Sequence, residues 1–295
     1  MIEQLDPKRV LAIRKLGFLL FLLPPILMPA GWLLGQKTGL PNLMAWYPVL
    51  WIFGLIPVLD YAVGRDTANP DEASETPAMQ GQIYFRLLTM LAVPIQAALL
   101  VWAGWVFVYG ELGPWGRLGW LVSMGVVSGV NAINIAHELI HRHGRLEPGA
   151  GGILLSLVAY AGFKVEHVRG HHVNVSTPED ASSARYGQSL YGFLPHAWKW
   201  NFLNAWRLEA ERLHRRGLPA LHWRNELIWW YGLSLSIATA MTWAFGWLGL
   251  LFFAGQSFVA FTELEIINYV EHYGLHRRRR ADGRYERTTH QHSWN

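Results

Sequence analysis

The chain has 295 residues, of which 52% are hydrophobic and 16 are tryptophan, and its net charge is +4. This composition is too apolar and too aromatic for an ordinary soluble domain, so it indicates a membrane protein. The modest positive charge predicts no nucleic-acid partner, because basic residues facing anionic lipid headgroups account for it.

Six apolar runs are long enough to cross a bilayer as helices. They cover residues 16–34, 43–63, 87–109, 118–136, 227–245 and 247–269. A seventh run, residues 151–163, is too short to cross and predicts a re-entrant or interfacial segment. Residues 196–224 mix aromatic and basic side chains, which is typical of an amphipathic helix on the membrane surface and also of a solvated helix. We therefore predict an all-α, polytopic membrane protein with six transmembrane helices in one domain, residues 1–295.

The basic residues predict how these helices are oriented. With the amino terminus inside, the outer segments contain only Lys37 and Arg117 of the chain's 25 Lys and Arg. This asymmetry follows the positive-inside rule. The same topology places every histidine cluster on the cytoplasmic side.

Six histidines form three short clusters near the ends of apolar runs: His137 and His141, His167 with His171 and His172, and His272. The first pair is four residues apart, so on a helix both imidazoles point to the same side. Imidazoles gathered where hydrocarbon meets water predict a metal centre that faces a lipid-soluble molecule.

The kind of metal is not settled by the first cluster. The segment from His137 to His141 also matches a zinc protease pattern in which Glu138 is the general base. The second cluster adds more imidazoles than a protease zinc needs. Neutral nitrogen donors in this number suit two borderline metals such as iron, which indicates oxygen activation. A membrane zinc protease and a non-catalytic metal-binding protein are the alternatives.

Four acidic residues near the histidines have two interpretations. They are Glu138, Glu166, Asp180 and Glu271. As second-shell groups they would accept hydrogen bonds from imidazole N–H groups and orient the ligands. Alternatively they cap helices or pair with Arg142, Arg169 and Arg185.

Longer motifs surround the clusters. They are Glu166-His-Val-Arg-Gly-His-His172, Thr177-Pro-Glu-Asp180 with Ala184-Arg185, Asn268-Tyr-Val-Glu-His-Tyr-Gly-Leu275, Asp282-Gly-Arg-Tyr285 and His292-Ser-Trp-Asn295. Through these motifs nearly the whole chain resembles the bacterial integral-membrane alkane 1-monooxygenases, within the membrane di-iron desaturase and hydroxylase group.

The resemblance implies that O2 hydroxylates the terminal methyl of medium- or long-chain alkanes at two histidine-bound irons in the cell inner membrane. It also implies rubredoxin and rubredoxin reductase as electron donors. The chain has no cysteine, so rubredoxin would be a separate polypeptide. Family members continue past Asn295 to a last histidine box, so we expect this chain to be truncated before it. In the family the stretch with His290 and His292 resembles a structural turn.

An alkane has no polar group, so its site is expected to be an apolar tunnel. Trp51 and Trp46 are candidate stoppers, and Trp51 would lie roughly 15 Å from the metal face at 1.5 Å per residue. Packing against lipid or a neighbouring helix is the alternative role for either indole. Asn131 and Asn134 are polar groups in a spanning helix, so they are predicted to face the metal cavity.

Overall fold

The computed structural model describes residues 7–64 and 82–294, so Asn295 of the last motif lies outside it. The described residues are helical apart from one isolated antiparallel bridge between Arg279 and Tyr285. The predicted all-α class is therefore confirmed. In chain order the principal helices are α1 (Leu11–Thr38), α2 (Tyr47–Val63), α3 (Ile83–Tyr109), α4 (Pro114–Ile140), α5 (Leu146–Ser156), α6 (Leu190–His214) and α7 (Glu226–His272).

Four of these helices, α1, α3, α4 and α7, are long and apolar enough to cross a membrane. The predicted run at residues 43–63 gives the shorter α2, which follows a single helical turn at Pro41–Met44. Within α2, the residues Trp51–Leu55 form a π-helical turn.

The predicted runs at residues 227–245 and 247–269 both lie in α7. Gly246 separates them with φ 67° and ψ −162°, a conformation that side chains other than glycine rarely adopt. A Cβ on Gly249 would lie only 2.3 Å from the carbonyl oxygen of Met241. Because residues eight apart in a straight helix are separated by about 12 Å, the chain turns back at Gly246.

The core of the bundle forms where α4 packs against α7, α3 and α2. Trp120 of α4 and Phe252 of α7 are both fully buried there. Trp46 belongs to this packing, since its indole lies 4.7 Å from Trp115 and occupies the space beside Gly119. Trp46 is therefore a packing residue in this structure and does not line the cavity described below.

A buried polar network links the helices inside this apolar core. Gln96 donates a hydrogen bond of 2.8 Å to Ser128 Oγ, and Ser128 donates one of 2.9 Å to Gln256. Asn131 donates to Gln96 over 3.0 Å. Asn131 was predicted to face the metal cavity, but this bond directs its amide toward α3, so that prediction is wrong.

The two remaining helices, α5 and α6, support the metal centre that is described below. α5 has only 11 residues and is largely buried, as expected of a segment too short to cross. α6 buries residues spaced four apart, among them Ala197, Asn201, Ala205 and Glu209, and exposes Trp200 on its other side. The predicted amphipathic segment at residues 196–224 therefore begins inside α6 and extends beyond its end at His214.

Candidate metal centre

The second histidine cluster lies on a widened helical turn. The short helix Phe163–Glu166 continues into the π-helix His167–His171. A π-helix bonds residues five apart, so His172 lies next to His167, with the two rings edge to face and their centroids 4.4 Å apart. Their Nε2 atoms are 2.9 Å apart, and the Nε2 of His172 is 3.2 Å from that of His141.

The first histidine cluster meets this turn from α4. Another π-helical turn, Gly129–Asn134, precedes the helical segment Ile135–Ile140. His137 lies in this segment and His141 directly follows it, and their ring centroids are 5.0 Å apart on one side of the helix. The potential ligand atoms of four histidines lie within 4.8 Å of one another: His137, His141, His167 and His172. We call these residues the four-histidine cluster.

The chemistry of the four-histidine cluster fits a metal ion. The Nε2 of His172 faces two other imidazole nitrogens and carries at most one proton, so it cannot donate to both. Burial, reinforced by the neighbouring histidines, lowers the pKa of His167 far below its usual range and that of His172 to about 4. Both imidazoles are therefore neutral at neutral pH, and a cation shared among their nitrogen lone pairs would satisfy them together.

The other two predicted ligands form a pair next to this cluster. The rings of His171 and His272 have centroids 5.1 Å apart. The Nδ1 of His171 lies 3.0 Å from a carboxylate oxygen of Asp180, and the Nδ1 of His272 donates to the carbonyl oxygen of His292 over 3.1 Å. Because Nδ1 is engaged in both rings, Nε2 is the nitrogen available to a metal.

Asp180 orients the His171 ring through its carboxylate. Its oxygens also accept from the backbone N–H of Ser182 and from the hydroxyl of Ser183. Burial alone would lower the pKa of His171, but the Asp180 carboxylate outweighs burial and raises it. The same pairing lowers the pKa of Asp180 despite its burial.

Asp180→Asn is expected to weaken metal binding by roughly 10–100-fold, because the amide loses the charge that orients His171 and increases its basicity. Competition with a chelator of known affinity measures the effect. Glu179→Gln is the matched control, since the neighbouring Glu179 is exposed and bonds to Tyr285 instead. Equal metal affinities for wild type and Asp180→Asn would contradict the role given to Asp180.

The other three acidic residues differ from Asp180. Glu138 is exposed and forms an ion pair with Arg142, which is the alternative interpretation of this residue. Glu271 lies 4.0 Å from the Nε2 of His272. Glu166 is buried, and that burial with nearby Asp180 raises its pKa to about 8.

Ion pairs hold the π-helix His167–His171 in place. Arg169 donates to Glu209 over 2.8 Å and to Glu226 over 2.7 Å. Glu209 is fully buried and also accepts from Arg212 over 2.5 and 2.7 Å. The turn that carries His167 and His171 is thus tied to both α6 and α7.

A cavity of about 490 Å³ opens beside the histidines, a volume typical of small-molecule sites. Five of the six histidines line it: His137, His167, His171, His172 and His272. Its apolar wall includes Val130, Ile133, Phe163, Leu264 and Ile267.

The two predicted tunnel residues differ in position. Asn134 lines the cavity. Trp51 does not, and its ring packs 6.4 Å from that of Tyr47 instead.

Sequence reasoning missed two groups of residues near the site. Glu265 is buried and accepts hydrogen bonds from Tyr160, Asn201 and Asn268, which joins α6 and α7 behind His171. Glu263 lines the cavity itself. The signal that could have found both is a carboxyl inside an apolar run, which is costly in a membrane and usually functional.

The remaining histidines take other roles. The Nδ1 of His292 accepts from the backbone N–H of Thr289 over 3.0 Å, so this stretch is a capped turn, as the resemblance implied. Its carbonyl supports His272, and its ring also lines the cavity. Six other histidines neither join the four-histidine cluster nor line the cavity in the part of the chain that the structure describes: His143, His196, His214, His222, His276 and His290.

Known proteins resemble this chain over its full length. The family model for fatty acid desaturases matches residues 112–295. Alkane 1-monooxygenase 1 of Pseudomonas aeruginosa is 60% identical over 296 residues, which cover 100% of this chain and 78% of that protein. Alkane 1-monooxygenase 2 of the same organism is 57% identical with the same coverage. Alkane 1-monooxygenase 2 of Alcanivorax borkumensis is 49% identical over 100% of this chain and 78% of its own length.

The matches to these relatives cover the whole chain, and the family model covers both α4 and α7. The chain belongs to the alkane 1-monooxygenase family within the fatty acid desaturase group, and it is an oxidoreductase.

Proposed function

We propose that this protein hydroxylates the terminal methyl of medium- or long-chain alkanes with O2 to give 1-alkanols, using two non-haem irons. The observation that carries the proposal is the gathering of six imidazoles, five of which line one end of a cavity with apolar walls. The relatives at 57% and 60% identity are named alkane 1-monooxygenases, which supports this substrate class.

Iron would be held by the four-histidine cluster together with His171 and His272. Bound iron would supply the activation of O2 and the oxidising power needed for an unactivated C–H bond. Asp180 and the His292 carbonyl keep two of the imidazoles in the orientation that presents Nε2. The apolar wall binds the alkyl chain by burial, at about 0.8 kcal/mol per methylene, and excludes water.

The proposed setting is the cell inner membrane, with six crossings and the metal centre on the cytoplasmic side. α7 turns back at Gly246, which is compatible with two crossings by its two halves. The histidines of α4 and α7 lie at the carboxyl ends of those helices, where the flanking segments are rich in arginine. An alkane would then enter from the bilayer.

Electrons are proposed to come from rubredoxin and its reductase. Four consecutive arginines, Arg277–Arg280, follow α7, and such a run suits either a membrane anchor or a docking site for an acidic donor. The guanidinium of Arg277 donates to the carbonyl oxygens of Val173 and Val175, so this arginine links the end of α7 to the segment after the histidines. Arg278 and Arg280 are exposed and available to an acidic partner.

Replacing Arg278 and Arg280 with glutamine is expected to slow reduction by rubredoxin and to flatten its salt dependence, because steering between exposed charges is screened over about 8–10 Å at moderate ionic strength. Stopped-flow reduction at several salt concentrations measures this. The control is Arg215→Gln, an exposed charge at the end of α6. An unchanged rate and salt slope in the double variant would mean that the donor docks elsewhere.

Trp51→Ser is expected to shift the preferred alkane to longer chains if the cavity continues toward α2 when substrate is bound. A smaller side chain would open room for further methylenes, each worth about 0.8 kcal/mol of burial. The product distribution from a mixture of alkanes measures the shift. An unchanged profile would show that Trp51 only packs against Tyr47.

Turnover in a membrane environment tests the function. The protein in lipid nanodiscs, supplied with rubredoxin, reductase and isotopically labelled O2, is expected to convert an alkane to a 1-alkanol that carries one labelled oxygen atom. Two results would favour the alternatives: peptide hydrolysis with bound zinc would indicate a protease, and metal binding without any product would indicate a non-catalytic protein.

A further inference from the structure

The cavity follows a groove between α4 and α7 that leads away from the histidines. On α7 its lining residues recur every three or four positions, from Glu263 to His272. On α4 the lining runs in the same way from Gly129 to His137. At 1.5 Å per residue the far end, between Gly129 and Glu263, lies about 12–14 Å from the metal end along the helices.

That far end holds a carboxyl oxygen for which the described part of the chain provides no hydrogen-bond partner. The Oε2 of Glu263 is buried, and no described residue donates a hydrogen bond to it. A Cβ on Gly129 would lie 2.1 Å from this oxygen, so only glycine leaves room for the carboxyl in its present position. α4 therefore leaves room for a carboxyl group of α7 at this end of the cavity. A site that binds only alkanes does not need such a polar group.

We propose that Glu263 forms a binding subsite for a hydroxyl group at the end of the substrate remote from the metal. The inference rests on the proposed hydroxylation and extends its substrate class to primary alcohols of medium chain length. A 1-alkanol bound this way presents its methyl end to the histidines, so the product is an α,ω-diol. One oxygen atom of O2 enters a C–H bond of that methyl group and the other leaves as water, with two electrons from the external donor and two protons from solvent.

The site is expected to select an alcohol over an alkane, because a buried polar group without a hydrogen-bond partner costs free energy. An alcohol donates to a carboxylate or accepts from a carboxylic acid, so it satisfies Glu263 in either protonation state. An alkane of equal length leaves the carboxyl unsatisfied, and such a site discriminates against it. A hydrogen bond to a carboxyl group in a buried site corresponds to about tenfold in affinity.

The test compares dodecane with 1-undecanol, which have the same number of non-hydrogen atoms. Their affinities for metal-free protein in nanodiscs are measured per lipid, by displacement of a brominated alkane that quenches tryptophan fluorescence. Wild type is expected to prefer the alcohol, and Glu263→Leu is expected to lower that preference about tenfold. Thr262→Val is the matched control, because Thr262 is adjacent and does not line the cavity.

Gly129→Ala provides a second variant that keeps the carboxyl but fills its space, and it is expected to lower the same preference. If Glu263→Leu does not fold, this variant decides the question. The subsite is overturned if neither folded variant reduces the preference for the alcohol. It is also overturned if the wild type has no such preference, because water would then be the hydrogen-bond partner of the carboxyl group.

The binding measurement separates this inference from the proposed function. Alcohol binding that depends on Glu263, found together with a lack of hydroxylation, supports the subsite and contradicts the function. Normal alkane hydroxylation, found together with alcohol binding that is indifferent to Glu263, supports the function and overturns the subsite. With the loaded enzyme, 1-undecanol is expected to give the diol in wild type and to give less of that product in Glu263→Leu.

Discussion

His167→Ala is expected to remove metal from the four-histidine cluster and to abolish hydroxylation. Its ring lies between those of His137 and His172, with centroids 4.5 and 4.4 Å away. Loss of a direct ligand should exceed the roughly 10–100-fold cost of losing a second-shell partner. Metal analysis of the purified variant and alkane turnover measure the two effects.

A matched control shows whether the loss is specific. His196→Ala changes an exposed histidine on α6 that is outside the cluster, so its metal content and turnover are expected to match wild type. His171→Ala extends the test to the second pair and is expected to reduce both as well. Normal metal content in His167→Ala or His171→Ala would refute the ligand assignment.

Glu209→Gln is expected to lower the free energy of unfolding by about 3 kcal/mol, because it leaves Arg169 and Arg212 without their buried anionic partner. Glu211→Gln is the matched control two residues along α6, and its exposed pair with Arg207 is expected to contribute less than about 1 kcal/mol. Thermal or denaturant unfolding in detergent micelles measures both. Equal stability losses in the two variants would contradict the anchoring role.

The stability from Glu209 also has a defined pH dependence. Burial alone would raise the pKa of Glu209, but hydrogen bonds from Arg212, the Glu226 backbone and Arg169 lower it to about 2. A lowered pKa stabilises the folded state fully above the ordinary value of 4.5 and loses that effect as the pH falls toward about 2. The difference between wild type and Glu209→Gln should therefore be constant above pH 4.5 and shrink as the pH falls from there toward about 2.

The sequence was most informative where periodicity and residue type act together. The four-residue spacing of His137 and His141 predicted a shared side, and the structure shows their rings 5.0 Å apart. The apolar runs predicted the helices, and Gly246 marks the boundary expected between the last two. These features depend on local geometry, which the sequence carries directly.

Other features depend on contacts that no single segment contains. Spacing does not reveal the π-helical turn that brings His172 to within 2.9 Å of His167. The four acidic residues could not be sorted by sequence, since Asp180 meets His171 and Glu138 meets Arg142 only in the folded chain. Trp46 shows the same limit, because the packing of its indole against α4 depends on the absence of a side chain at Gly119.

The identity of the bound metal tests the central claim most directly. Elemental analysis and Mössbauer spectroscopy of protein purified in lipid nanodiscs, with His167→Ala prepared in parallel, give the metal and its site. The proposed function predicts iron in the wild type and its loss from the variant. Zinc in the four-histidine cluster, or iron retained in full by His167→Ala, would contradict it.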